Sequence, residues 1–438
     1  MKRLLSITGG LLGLLALGAL AVALALTFGG LRRGAAPVSF QSPIETPTLP
    51  PYPPPITPPP PSPPTISVPP CTFAARPAPA EPGPPLEAYQ FSEPRVVLTH
   101  TSAIGIAGWL PDGQRLLITR LLPGQPKESI ETFNVRSGEL QRYGERHSLP
   151  GKPVWLAAHQ AVAFADVASD QQVVLRISRG EMGSVETPVS GLAASFLAAS
   201  PDGRRVVFFT QAAPDRPEAL DIALAQRQTL PALPLTPWQD LPALGQQYGP
   251  EPYQAVWSPS GNQMAFYNDT GFYLVDWPSG KICEVDLGFK ESEAQYGKHW
   301  AFYAQWAPNR RYLAILTTVG DLPIKFSDLT ILDTLTGEQH LMPPVVYINP
   351  GQYYVQDMAW APNSQVLAIL ATVELREGTT WEGLYLVEGT TGRTKAMLPH
   401  IVFPAGDAGW NLAWSPNGNF LAVTCLYGPL CLIEVTSP

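Results

Sequence analysis

The sequence predicts an all-β body folded as a seven-bladed β-propeller, with six blades as the alternative count. Three observations carry that expectation. A tryptophan-centred segment recurs at positions 109, 155, 199, 257, 306, 360 and 414, at intervals of 44 to 58 residues. The copies that keep their turn lead into short apolar runs of strand length, separated by Gly-centred turns. Helical periodicity is largely absent from the same stretch, which excludes an α-solenoid.

The chain divides into three parts: 1–36, 37–94 and 95–438. Lys2 and Arg3 precede an uncharged run from Leu4 to Phe28. Twenty-five residues in a helix reach about 37 Å, enough to cross a ~30 Å hydrocarbon layer. A secretory signal has a shorter apolar centre, and Pro37 follows the small residues Gly34-Ala35-Ala36, which disfavours cleavage. Residues 1–36 are therefore expected to be a retained signal anchor, a single transmembrane helix. The propeller is expected on the extracytoplasmic side.

Residues 37–94 read as a disordered Pro-rich stalk. Positions 37–85 hold 21 prolines in 49 residues, including Pro58-Pro59-Pro60-Pro61. Proline fixes φ and removes the backbone donor, so this stretch favours an extended polyproline spacer over helix or sheet.

The body begins near Arg95. Trp257-Ser-Pro-Ser-Gly261 recurs as Trp306-Ala-Pro-Asn-Arg310, Trp360-Ala-Pro-Asn-Ser364 and Trp414-Ser-Pro-Asn-Gly418. Earlier copies are Trp109-Leu-Pro-Asp-Gly113 and, without the tryptophan, Ala199-Ser-Pro-Asp-Gly203. The copy at Trp155 loses the turn but keeps a strand at Ala161–Ala165. A strand follows each turn, for example Gln263–Tyr267 or Phe420–Thr424, then a third strand, a second Gly turn and a weaker outer strand. Four short strands per repeat make a propeller blade. The last repeat ends on its third strand, Cys431–Val435, while Arg95-Val-Val-Leu-Thr-His100 stands unclaimed ahead of the first. Pairing the two would complete the seventh blade and remove an open edge.

The turn followed by an apolar strand resembles the TolB-like, WD40-like propeller repeats of bacteria, over residues 96–438. That resemblance implies a periplasmic interaction platform, although the familiar TolB propeller has six blades.

Composition narrows the function. The formal charge is −8, and residues 1–95 carry six Lys/Arg against four Asp/Glu, which leaves −10 on the body. An acidic body is not a nucleic-acid binder. Cys71, Cys283, Cys425 and Cys431 form no CxxC pair, and the six histidines are isolated from one another, so no metal and no cofactor is assigned. Cys425 and Cys431 flank a turn-like stretch and read either as a cross-hairpin disulfide or as two buried thiols. No Gly-x-Ser-x-Gly elbow occurs, and no catalytic residue is assigned.

The repeated tryptophans are read as packing between blades, and the Asp, Asn and Gly after each proline as turn formers. Function is expected in the connections between second and third strands and between blades, which read as long loops: 211–218, 317–327 and 372–382, with 234–253, 288–302, 343–356 and 399–409. Their aromatic and cationic residues, Trp238, Tyr253, His299, Trp300, Phe326, Tyr354, Arg376 and Trp381, are the candidate binding residues. The expected partner is a protein or glycan on that face, with the membrane contacted through the N-terminal helix and the oligomeric state open. The alternative is a polysaccharide lyase or hydrolase acting at the channel, marked by a carboxylate or His cluster of displaced acidity.

Overall fold

In a computed structural model, residues 68–73 and 85–436 are described, apart from 100–102, 181–183, 235–253, 269–270, 288–298, 320–325, 342–351, 375–379, 399–400, 402, 404–410 and 426–427. The N-terminal anchor assigned to 1–36 lies outside them. Among the described residues no helix is long and apolar enough to cross a membrane.

The strands form seven antiparallel sheets, six of four strands and one of five. Blade 4 shows the plan: Gln254–Trp257, Gln263–Tyr267, Phe272–Asp276 and Ile282–Glu284, paired in sequence order. The strand runs legible in the sequence are the second and third strands of each blade, apolar on both faces because neighbouring blades cover both. Successive inner strands adjoin around a ring, so that each blade presents its first strand to a central channel.

The turn chemistry follows the residue types. Asp112, Asp202, Asn309, Asn363 and Asn417 each accept, through Oδ1, the backbone N–H two residues on. The fifth position of the turn needs a left-handed backbone, which Gly261 supplies at φ 71°. Arg310 and Ser364 adopt the same conformation at 68° and 61°, at the cost a Cβ carries there. Blade 2, which lacks the turn, substitutes a short 3-10 segment, Ala157–His159.

The tryptophans join each blade to the one before it. Trp155 packs with Leu117 and Ile130 of blade 1, Trp257 with Val207 and Phe209 of blade 3, and Trp306 with Ala265 and Tyr267 of blade 4. Three indoles also donate to one repeat-equivalent carbonyl of the preceding blade, the residue just before its own tryptophan position. These are Trp109 to Ala413, Trp257 to Ala198 and Trp360 to Gln305, at 3.0, 3.3 and 3.0 Å.

Closure is as the orphan strand predicted. Blade 7 contributes Leu412–Trp414, Phe420–Thr424 and Leu430–Thr436. Arg95–Leu98 pairs antiparallel with that third strand, Arg95 opposite Leu432 and Val96 opposite Cys431. Gln90–Phe91 pairs further along the same strand, opposite Thr436 and Val435.

Two stretches of the range read as stalk lie on the propeller. Leu86 and Tyr89 are core residues between blades 6 and 7, and the Tyr89 hydroxyl accepts from Asn363 Nδ2 at 2.6 Å. Farther upstream, Pro70 makes a parallel bridge with Glu284 on the outer strand of blade 4. Glu284 N–H donates to the carbonyl of Pro69, and Cys71 N–H donates back to the Glu284 carbonyl. A proline at a sheet edge can still offer its carbonyl, which is all this pairing asks of Pro69. A Cys71–Cys283 disulfide fastens the segment covalently, across 212 residues of sequence. The second disulfide joins Cys425 to Cys431, resolving the choice left open there.

Candidate functional site

The connections from second to third strand, and from blade to blade, open on one face. On that face blades 5 and 6 stand higher than blade 4. The first three strands of blade 5 are His299–Trp306, Tyr312–Val319 and Phe326–Asp333, eight residues each. Those of blade 6 are Gln352–Trp360, Val366–Glu374 and Thr380–Glu388, nine each. Blade 4 has four, five and five. The ends near the short turns are in matching register, so the extra length rises on the opposite face by about 10 Å at ~3.3 Å per residue.

This corrects the reading of 317–327 and 372–382 as loops. Both are strand in part, 317–319 with 326–327 and 372–374 with 380–382, while 320–325 and 375–379 lie outside the described residues: Thr317 pairs with Asp328, and Thr372 with Glu382. In blade 3, likewise, 211–218 is mostly the strand Ala213–Asp221. Polar residues interrupt the apolar runs at these strand ends, as in Thr317–Val319 and Thr372–Glu374, so their sequence does not announce them.

Five of the eight candidate residues fall in these raised strands. His299 pairs with Val319, which pairs with Phe326, forming one cross-strand row in blade 5. Trp300 stands in the next row, opposite Thr318. In blade 6, Tyr354 is opposite Thr372 and Trp381 opposite Val373, in adjacent rows. Trp238, Tyr253 and Arg376 lie outside the described residues.

Blades 1 and 2 present charge on the same face. Asp166 is buried and accepts from the backbone N–H and ring Nδ1 of His147 and from Arg176 Nε at 2.9 Å. Burial alone would push its carboxyl up, but these donors and the Val167 N–H together hold it below the ordinary value. Beside it, Arg146 is almost wholly buried, bonded to Glu128 Oε2 at 3.1 Å and to the carbonyls of Gly151 and Leu149. The satisfied guanidinium ties the outer strand of blade 1 to the entrance of blade 2.

A second constellation lies in the channel, and sequence reasoning missed it. Three residues before each tryptophan position stand Ile106, Lys152, Phe196, Gln254, Tyr303, Asp357 and Asn411. Lys152 Nζ lies 5.4 Å from the centre of the Tyr303 ring. Blades 2 and 5 are not neighbours, so that contact crosses the channel. Lys152 also feels the charge of Asp357, on blade 6. Asp357 is fully buried and accepts three backbone N–H groups: Met358 through Oδ1, and Asn411 and Leu412 through Oδ2 at 2.7 and 2.9 Å. Tyr303 and Asp357 both follow an unpaired bulge residue in their strands, which re-aims them.

Acidities in this ring are displaced. Desolvation lowers the Lys152 ammonium and raises the Asp357 carboxyl, the second against the pull of Lys152 and the three N–H groups. Burial first, then the Asp357 charge, pushes the Tyr303 phenol well above its usual value. The residue types differ from blade to blade, so no motif flags them. Aligning the repeats on tryptophan and reading the third column before it would have found them. Among the described residues, no group of three or more His, Cys, Asp or Glu is placed to hold a metal.

No family model and no curated protein matches the sequence. Solved structures do. The chain is similar to an oligogalacturonate lyase in complex with manganese, at a TM-score of 0.50 and 10% identity, covering 80% of this chain and 96% of that one. It is similar also to a chain of a mitotic checkpoint complex, at 0.48 and 12%, covering 84% and 97%. TolB from Acinetobacter baumannii matches at 0.37 and 11%, covering 71% and 76%. The chain is a β-propeller, and TolB is among the solved structures it resembles. At these identities the likeness concerns fold alone, and both candidate sites must be argued from this chain's own residues.

Proposed function

We propose that the protein is a membrane-anchored, extracytoplasmic propeller that holds a protein or glycan partner on the raised face of blades 5 and 6. The observation that carries this reading is the extension of six strands on one face, bearing His299, Trp300, Phe326, Tyr354 and Trp381. Trp and Tyr are typical interface anchors. All four cysteines are in disulfides, which supports an oxidising compartment and therefore an extracytoplasmic body. The N-terminal segment meets the propeller near the short turns, where Phe73 lies against Gly337 and Tyr89 reaches Asn363.

The test is capture from detergent-solubilised membranes with the full-length chain as bait, beside a variant with Trp300, Tyr354 and Trp381 all changed to Ser. The reading expects a protein or glycan that the native chain retains and the variant loses, with thermal stability nearly equal. Equal retention by both would remove the raised face as the binding surface.

The channel ring favours a second reading, a polysaccharide lyase acting there. Lys152 and Tyr303 are groups that can move protons. Among the ring positions only Asp357 is a carboxylate, so a hydrolase with paired carboxylates has less support.

A further inference from the structure

Blade 4 has an outer neighbour that no hairpin delivers. The three pairings within the blade are antiparallel, but Pro70 meets Glu284 in parallel. A parallel neighbour reaches a sheet only through a crossover, so residues 68–73 lie on this edge as a separately docked peptide would. We propose that they form a releasable strap: reduction of the Cys71–Cys283 disulfide by a dithiol frees them and bares the outer edge of blade 4. The device sits on the rim of the ring and stands apart from the raised face.

Apart from the disulfide, the strap is held at few points. Two backbone hydrogen bonds join it to Glu284, at 2.9 and 3.0 Å. Pro69 and Pro70 are exposed and have no N–H with which to extend the ladder. Val68 packs on the core between blades 3 and 4, and Phe73 on that between blades 4 and 5. The two disulfides also differ in access. Cys71 and Cys283 are both half-buried, whereas in the second pair Cys425 is half-buried and Cys431 fully buried. Either sulfur of the first pair is therefore open to a thiolate. The thiolate attacks one sulfur and expels the other; the second thiol of the reagent then closes on the first. Two cysteines are left reduced and the dithiol is oxidised. Release bares the N–H and carbonyl of Glu284 and empties the hollow at Gly337, where a Cβ would stand 2.2 Å from the Phe73 ring.

The experiment titrates the full-length chain, in mild detergent without denaturant, with dithiothreitol. Free thiols are mapped by alkylation and mass spectrometry, and amide hydrogen exchange is followed on the same samples. Cys71 and Cys283 are expected to be reduced before Cys425 and Cys431. Exchange at Glu284 and Cys71 should then quicken about tenfold or more, while the central strands of blade 4 keep their protection. C71S should show the same exchange with no reductant added, which separates loss of the bond from the reagent. A second variant tests whether docking and bond are coupled. G337A drives a methyl group into the Phe73 ring, while Gly138 holds the equivalent turn of blade 1 at the same φ of 74° against open space. G337A is expected to be reduced at about tenfold less dithiothreitol than G138A. Unchanged exchange at Glu284 after reduction, exchange of the whole blade together, or equal midpoints for the two glycine variants overturns the proposal.

Discussion

The indole Nε1 of Trp109 donates to the carbonyl of Ala413 at 3.0 Å, which ties the first blade to the last. Trp306 occupies the same place between blades 4 and 5, yet its buried Nε1 has no hydrogen-bond partner among the described residues. The two residues therefore separate packing from hydrogen bonding. Replacing each by Phe removes similar volume, but only W109F breaks a bond and strands a carbonyl. W109F is expected to cost about 1 kcal/mol more than W306F in urea denaturation. Equal costs would show that the indole bond adds nothing to the seam.

The two disulfides should differ in weight. Cys71 and Cys283 close a loop of 212 residues, Cys425 and Cys431 one of six. On the loop-entropy account the first contributes about 5 kcal/mol and the second about 2. The paired change C71S with C283S should lower the denaturation midpoint distinctly more than C425S with C431S. A reversed order would mean that 68–73 holds to blade 4 without its covalent link.

Asp166 gives a pH signature. Its carboxyl is held below the ordinary value in the fold, so the stability it supplies is present above the unfolded value near ~3.9 and is lost as pH falls through the folded one. D166N should be about 3 kcal/mol less stable than the native protein at pH 7, since Arg176 loses its buried partner. The gap should hold from pH 7 down to about pH 4 and narrow only below that, as pH falls towards the folded value. A gap that stays constant in that lower range too would mean the loss is steric.

Removing the closing strands should expose an edge. A chain starting at residue 103 lacks both Gln90–Phe91 and Arg95–Leu98, and leaves Leu430–Thr436 unpaired on its outer side. Light scattering should then show concentration-dependent association, as open strand edges invite. A monomeric, equally stable product would show that blade 7 stands on three strands.

The repeat architecture was open to reading because each blade must solve the same problem. A turn needs Pro, Asx and Gly at fixed offsets, and a strand covered on both sides needs Val, Leu, Ile and Ala in a run. Trp109, Trp257 and Trp414 mark the frame for the same reason. The raised ends of blades 5 and 6 read as loops in the sequence because Thr317–Val319 and Thr372–Glu374 mix polar residues into the strands. Cys71 gave no warning of its partner, since it sits among prolines and its mate is 212 residues away. Lys152, Tyr303 and Asp357 share a column of the repeat, but a column that varies in residue type has no motif to find. The candidate residues among the described ones, His299, Trp300, Phe326, Tyr354 and Trp381, lie in strands where the pattern pointed to loops.

The bond from Cys71 to Cys283 also decides where a mechanical load would enter the protein. Tension on the chain upstream of residue 71 passes through sulfur to the outer strand of blade 4. The load is taken up there before it reaches Arg95 and the hydrogen-bonded seam of blade 7. The closing seam, made by the pairing of Arg95–Leu98 and by the Trp109–Ala413 bond, is thereby shielded from such a load, and reduction of one bond would shift the pull onto it.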